Sequence, residues 1–269
     1  MHENALTLLD AAGFQLETRD DRALSIRCHS APVDVLLVRA ADVPEYVQDG
    51  AVDCGITGAD LVGERSADVI ELLRLGFGYC TLEAAVLEDD PALALEDLQG
   101  RRVATVFPHL TKTLLGKLGI AVELCEVTGS VEIAPRLGLC DAIVDLVSSG
   151  GTLRTNGLRS LGELFESEAV LIASRDSRAR VAGLEAALGS VVQARNTRYL
   201  MFNAPRRSIP SIREVLPTDG SPSVVPLLRS DSVAIHALVP AASIWELLPQ
   251  LQSLGASSIL LSSVEMLLP

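Results

Sequence analysis

The residues whose types and spacing can do chemistry lie in one stretch, Asp141-Ala-Ile-Val-Asp145-Leu-Val-Ser-Ser-Gly-Gly-Thr152-Leu-Arg-Thr-Asn156. A hydrophobic run ends in Ser148, Ser149, Gly150, Gly151 and Thr152, which supply a turn whose N–H groups can converge on an anion ahead of the next helix. That suits a phosphate. The turn is not a Walker loop, because Gly-Lys-Ser/Thr is absent, and it lacks GxGxxG. Asp141 and Asp145, four apart on a strand, face the same side, with Asp145 at the C-terminal mouth just before the turn. Carboxylates repel phosphate but accept hydrogen bonds from vicinal hydroxyls. Phosphate donors beside hydroxyl acceptors specify a ribose phosphate. A bare Ser-Gly-Gly-Thr is ordinarily only a glycine turn beside solvated aspartates; the buried strand and the acid pair together carry the functional reading.

Positioning such a site falls to alternating elements. From residue 1 to about 174, strand-like and helix-like segments alternate, the signature of α/β layers with helices covering a mostly parallel sheet. Residues 1–12 place Ala5, Leu8, Leu9 and Ala12 on one helical face and stop at Gly13. Residues 33–38 read as a buried strand, Asp42 caps a helix with Pro44 in its first turn, and residues 52–58 form a strand that breaks at glycine. After residues 72–75, Gly76-Phe77-Gly78 reads as a hinge. A second unit follows, with strands at 81–87, 102–106 and 141–147, an extended stretch at 120–126, and helices at 108–118 and 131–137. Residues 169–173 form a strand running back toward the first unit, ahead of a long helix within 177–196. The expected arrangement is two lobes with a cleft: lobe I from residues 1–80 with 169–197, and lobe II from 81–168. Residues 198–269 change rhythm to βαββαβ, a ferredoxin-like order with no catalytic cluster, which suits a regulatory or assembly module.

Composition narrows the class. The 22 Lys plus Arg against 35 Asp plus Glu give a net charge of −13, which argues against nucleic-acid binding. With 48% hydrophobic and 21% charged residues, the 269-residue chain can bury several cores. No apolar run reaches the ~18 residues a membrane span needs, and the start has no basic region of a secretory signal, so a cytoplasmic location is expected. Cys28, Cys54, Cys80, Cys125 and Cys140 are odd in number and set among apolar residues, which reads as reduced thiols rather than a disulfide frame. His109, at a helix start after Pro108, could face the cleft, although a lone histidine is more often structural or exposed.

The run from Gly129-Ser130-Val131-Glu132 through Asp145-Leu-Val-Ser-Ser-Gly-Gly-Thr-Leu-Arg-Thr-Asn-Gly-Leu158 closely resembles the signature of the ATP phosphoribosyltransferases. Arg39-Ala-Ala-Asp42-Val-Pro44, Asp53-Cys-Gly-Ile-Thr-Gly58, Gly76-Phe-Gly-Tyr-Cys80 and Gly100-Arg-Arg-Val-Ala-Thr-Val-Phe-Pro-His-Leu110 resemble further family segments in family order. The resemblance covers nearly the whole chain. It implies a two-lobed, periplasmic-binding-protein-like catalytic core plus a C-terminal ferredoxin-like domain that binds histidine for feedback inhibition. It further implies transfer of phosphoribosyl from phosphoribosyl pyrophosphate to N1 of ATP with Mg²⁺, in a dimer or hexamer.

Carried over by resemblance, Ser148, Ser149, Gly150, Gly151, Thr152 and Leu153 hold the 5-phosphate, while Glu132, Asp141 and Asp145 are candidates for the ribose hydroxyls. Arg22 resembles an arginine at the leaving pyrophosphate. Arg39, Asp53, Gly55 and Gly58 fall at the ATP side, and Ser223, Leu238, Ser257 and Ser258 at the histidine pocket. No metal is expected on protein ligands. Two departures stand out. Cys140 replaces a smaller residue, and the strand and Lys-Gly-Arg turn that precede the first helix in the family are lacking, for which the expectation is a start assigned too late. A two-lobed solute-binding or sensor protein and a purine-salvage phosphoribosyltransferase are the alternative readings. The first needs a secretory signal, and the terminal βαββαβ module opposes the second.

Overall fold

Ala169-Val170-Leu171-Ile172-Ala173 is buried at every position, and the first sheet assembles around it. The computed structural model describes residues 1–17, 24–217, 222–228 and 231–268. Two compact units result, one chiefly from Pro32–Glu185, the other from Ala186 onward with Thr7–Gln15 and His29–Ala31. In chain order the elements up to the long helix are α1 (His2–Ala11), β1 (Ser25–Arg27), β2 (Asp34–Leu36), α2 (Val43–Gln48), β3 (Cys54–Gly58), α3 (Ala59–Arg65), β4 (Ile70–Arg74) and β5 (Cys80–Leu87). There follow β6 (Arg102–Thr105), α4 (Pro108–Lys117), β7 (Glu123–Glu126), β8 (Ala142–Val147), α5 (Gly151–Thr155), β9 (Leu158–Ser167), β10 (Ala169–Ala173) and α6 (Arg178–Arg195).

In lobe I, β10 lies between β3 and β4 and is antiparallel to both. Pro44 sits in the first turn of α2, where its missing N–H costs nothing, and the helix lays Val43 and Val47 against Val170 and Ile172. Lobe II is a five-stranded sheet in the order β7-β6-β8-β5-β9. One face packs Leu82, Val86, Val103 and Val144 under Leu110 and Leu115 of α4; the other packs Ala85, Ile143 and Leu158 against Val131 and Leu153.

The sheets are less parallel than the alternation of elements leads one to expect. Among the described residues, parallel pairing is confined to β6 with β7 and with β8. The reason is the crossing between lobes: β5 carries the chain into lobe II and β9 carries it out, so they run in opposite directions, as do β4 and β10 on the other side. The two crossing segments are bonded to each other. Leu75 N–H donates to Ala169 O and Ala169 N–H to Phe77 O, both at 2.9 Å. The buried Glu168 carboxylate accepts from Gly76 N–H at 2.8 Å and pairs with Arg74 at 3.6 Å. Gly76 and Gly78 both take positive φ, +69° and +72°, which only glycine adopts without strain.

A second joint lies beside the first. Ser167 Oγ donates to the buried Asp60 carboxylate at 2.5 Å and accepts from Asp60 N–H at 3.0 Å. From α3, Glu64 accepts the N–H groups of His109 and Leu110, at 3.2 and 2.8 Å, and Ser66 Oγ meets His109 Nε2 at 2.6 Å. A lobe I carboxylate thereby satisfies the open first turn of a lobe II helix. His109 is occupied in this joint.

The second unit contains β11 (Thr197–Pro205), α7 (Ile209–Val215), β12 (Ser223–Pro226), β13 (Ser232–Pro240), α8 (Ile244–Ser253) and β14 (Ser257–Ser263). Its antiparallel order is β12-β13-β11-β14, the ferredoxin-like arrangement. Leu200, Phe202, Val233 and Ile235 face Ile212 of α7 and Leu247 and Leu251 of α8. The opposite sheet face carries Tyr199, whose hydroxyl meets His236 Nδ1 at 2.9 Å.

Candidate functional site

At its C-terminal end β8 runs into Ser148, Ser149 and Gly150, the last with φ +68°, and α5 follows at once. Leu153 anchors α5: its side chain is buried against Leu158, Val131 and Ile143. Thr155 Oγ1 and Asn156 Nδ2 donate back to Gly151 O and Thr152 O, both at 2.9 Å, so the polar side chains of this helix satisfy its own last turns. Ser148, Ser149 and Thr152 stay exposed.

Ser148, Ser149 and Gly150 open onto a cleft of about 610 Å³ in lobe II. Its other walls are Thr81 and Glu83 of β5, Arg159, Ser160 and Glu163 of β9, Glu88, Arg154 and Tyr79. Thr81 Oγ1 donates to Glu83 Oε1 at 2.7 Å and to Val147 O at 3.2 Å, which ties the acid to the strand that ends in the turn. Arg159 donates to the carbonyls of Asp90 at 2.6 Å and Ala92 at 2.5 Å, so its guanidinium holds a loop.

Asp145 lies two residues into β8 from Val147, and so on the same sheet face, directly opposite Glu83. Burial pushes its carboxyl above the ordinary range; the Leu146 N–H at 2.8 Å opposes this, and the charge of Glu132 adds to it. Glu132, on the short turn that begins at Val131, is thus a near neighbour of Asp145. Asp141 is not. It precedes β8, roughly 13 Å of strand away, and its carboxylate accepts Arg102 N–H at 2.9 Å and meets Arg102 Nη2 at 3.4 Å. Period-two reasoning put both aspartates on one face, but they sit at opposite ends of the strand.

The residues expected on the ATP side do not line this cleft. Arg39 is exposed at the start of the turn ahead of α2. Asp53 binds Arg180, with Oδ1 accepting from Nη2 at 2.6 Å and Nε at 2.9 Å. Gly55 is small for packing: a Cβ there would lie 2.3 Å from Val43 Cγ1. At Gly58 a Cβ would lie 2.2 Å from Asp60 Oδ1, the acid bonded to Ser167. Arg22 lies outside the described residues.

Of the expected histidine contacts, Ser223 pairs with His236, Leu238 with Tyr199 and Ser257 with Asn203, which puts all three on the open sheet face. They nevertheless span the sheet from edge β12 to edge β14, roughly 14 Å at ~4.8 Å per strand. Ser258 takes φ +50° where the β11–β14 register slips. The four do not converge on one small pocket. Sequence reasoning missed Glu83, Arg154, Arg159 and Glu163; the first and last become visible only when β5 is known to sit between β8 and β9.

Among the described residues no helix is long and apolar enough to cross a membrane. Comparison with known proteins bears on identity. The family model described as ATP phosphoribosyltransferase matches residues 39–192, and the model of the HisG C-terminal domain matches residues 194–266. The ATP phosphoribosyltransferase of Methanosarcina acetivorans is 39% identical over 278 aligned residues, covering 100% of this chain and 96% of that protein. That of Haloarcula marismortui is 40% identical over 270, covering 99% and 96%. Among solved structures, the ATP phosphoribosyl transferase (HisG:HisZ) complex from Thermotoga maritima superposes with a TM-score of 0.60 at 26% identity, over 71% of this chain and 93% of that chain. A substrate-binding protein of an amino acid ABC transporter matches at 0.50 and 15% identity over 72% and 81%, a likeness of fold. With the family model spanning most of the catalytic region and relatives aligned over its length, the chain belongs to the ATP phosphoribosyltransferase family.

Proposed function

We propose that the protein transfers the 5-phosphoribosyl group of phosphoribosyl pyrophosphate to N1 of ATP, releasing pyrophosphate, as the first step of histidine biosynthesis, and that histidine inhibits it through the C-terminal unit. The observation that carries this reading is the turn Ser148–Gly150 opening onto the cleft with Asp145 three residues before it, on the face of β8 that Val147 presents to that cleft. In this reading the turn, with Gly151, Thr152 and Leu153, takes the 5-phosphate. Asp145 and Glu132 accept hydrogen bonds from the ribose hydroxyls, and a carboxyl held in a partly dry site does so more strongly than one in water. Asp141 is left out, since Arg102 holds it at the other end of the strand.

The transition state carries positive charge on the sugar and growing negative charge on the pyrophosphate, so the protein's work is placement and charge complementarity. Asp145 faces the first charge, while Arg39, exposed on lobe I, serves the triphosphate of ATP. Mg²⁺ is a hard ion that takes phosphate oxygens with one or two carboxylates. The cleft offers Glu83 and Glu163 for that role, and the ion would neutralise the leaving pyrophosphate.

The test is product formation from ATP, phosphoribosyl pyrophosphate and Mg²⁺, followed by pyrophosphate release and by mass of the nucleotide product, with and without histidine. Phosphoribosyl-ATP that falls when histidine is added is the expected result. Absence of product from folded protein would overturn the reading, and an Asp145→Ala variant of undiminished activity would overturn the ribose assignment.

A further inference from the structure

One charged side chain at the turn has no part in the assignments above. Arg154, on α5, lies back over the turn: its Nη2 donates to Ser149 O at 3.3 Å, and it lines the cleft. The turn is shaped to let it. A Cβ at Gly150 would lie 3.1 Å from Arg154 Nη1, so glycine there serves both the positive φ and the passage of the guanidinium.

The cleft has need of a cation. Three carboxylates, Glu83, Glu88 and Glu163, line it against two guanidiniums, in a chain of net charge −13. Arg159 is the other guanidinium, and three of its five N–H groups go to the carbonyls of Glu88, Asp90 and Ala92, which ties it to that loop. A guanidinium has five N–H donors in a rigid fork matched to a phosphate. Arg154 commits one of them to Ser149.

We propose that Arg154 is the cation of the phosphate turn: it fixes the Ser149 carbonyl with one N–H and presents the others to the phosphate ester of phosphoribosyl pyrophosphate. This rests on the reading of the turn as the 5-phosphate site. It makes Arg154 a binding and specificity residue, one that separates a sugar phosphate from a free pyrophosphate, rather than a residue that touches the bond being broken.

The experiment compares wild type, Arg154→Gln and Arg154→Lys as full-length protein. Loss of a charge-assisted hydrogen bond to a dianion is a ~10–100-fold effect. In Arg154→Gln the KM for phosphoribosyl pyrophosphate should rise by that factor while the KM for ATP stays within about twofold. Arg154→Lys should recover part of the loss, because it restores the charge without the fork. Inhibition constants give the readout that a structural role would not produce. Ribose 5-phosphate should weaken as an inhibitor of Arg154→Gln in step with the KM, and inorganic pyrophosphate should not. An unchanged KM for phosphoribosyl pyrophosphate in an active Arg154→Gln variant overturns the proposal alone. So does equal weakening of ribose 5-phosphate and pyrophosphate, which would mean that the whole turn had collapsed. If wild type forms no product, the catalytic reading fails separately, and calorimetric titration of ribose 5-phosphate into wild type and Arg154→Gln still decides the role of Arg154: equal affinity overturns it, and weaker binding by the variant supports it.

Discussion

Gly55→Ala separates two accounts of a glycine that the sequence places on the ATP side. The structure gives Gly55 a packing reason: an added Cβ would lie 2.3 Å from Val43 Cγ1 and 3.2 Å from Val47 Cγ2. Carbon atoms in contact prefer about 3.5–4.0 Å, so Val43 would have to retreat by more than an ångström. It has nowhere to go, since Val43 and Val47 are buried against Val170 and Ile172. Overpacking of this kind costs about 1–3 kcal/mol. At about 2–4 °C per kcal/mol for a unit of this size, Tm should fall by roughly 2–12 °C. Val43→Ala alone removes two buried carbons, at least ~1.6 kcal/mol by area and more with the cavity left behind. In the double variant the new Cβ occupies the vacated space, so the double variant should be no less stable than Val43→Ala alone, a coupling of about 1–3 kcal/mol. Far-UV circular dichroism is the suitable signal, because the sole tryptophan, Trp245, is exposed and lies in the other unit. Additive losses in the double variant would refute the packing account. A Gly55→Ala protein that melts like wild type but binds ATP poorly would establish the other one.

Further outcomes follow from the same geometry. Glu64→Ala removes the acceptor that closes the first turn of α4 from the other lobe, a loss of about 0.5–2 kcal/mol on the scale of helix caps; Glu64→Gln keeps an acceptor and should fall between, and an alanine variant as stable as wild type would show that the joint carries no load. Asp145 has a raised folded-state pKa, first from burial and then from Glu132, so its contribution is intact below the ordinary carboxylate range and is lost as pH rises through the folded value. Asp145→Asn should therefore melt above wild type at pH 7, with the difference vanishing near pH 3, and a variant that melts below wild type at pH 7 would contradict the direction. The Cys54 thiol is pushed up to about 11, chiefly by burial and then by Asp53, so it should resist iodoacetamide at pH 8 in the native protein and react on unfolding; rapid native labelling mapped to Cys54 would count against it.

What could be read from residues alone was whatever is local. The apolar run of β10, Pro108 and Gly119 bracketing α4, and the βαββαβ order of the second unit are all carried by neighbours in the chain. The longest strand was missed. β9 has no clean alternation, because its pairing with β5 slips between Leu82 and Glu83 and again between Ala84 and Ala85. Two of its charged residues, Arg159 and Glu163, were missed with it, although both line the cleft. Asp53, Gly55 and Gly58 have structural partners that were hidden for a related reason. Their partners, Arg180, Val43 and Asp60, come from other elements, and a motif does not distinguish a residue kept for a ligand from one kept for a neighbour. The turn at Ser148–Gly150 was legible because a strand that stops at two serines and two glycines is a local event.

The place of β10 also matters while the protein is being made. Among the described residues β3 and β4 pair only with that strand, which leaves the ribosome about 110 residues after β3. At ~5–20 residues per second this is several to about twenty seconds during which two nascent strands have exposed edges. Every strand of the five-stranded sheet, by contrast, has been synthesised by Ser167. Vectorial synthesis thus favours completion of the later lobe before the earlier one, and the waiting strands are where trigger-type chaperones, or slowed translation, would change the yield of active enzyme.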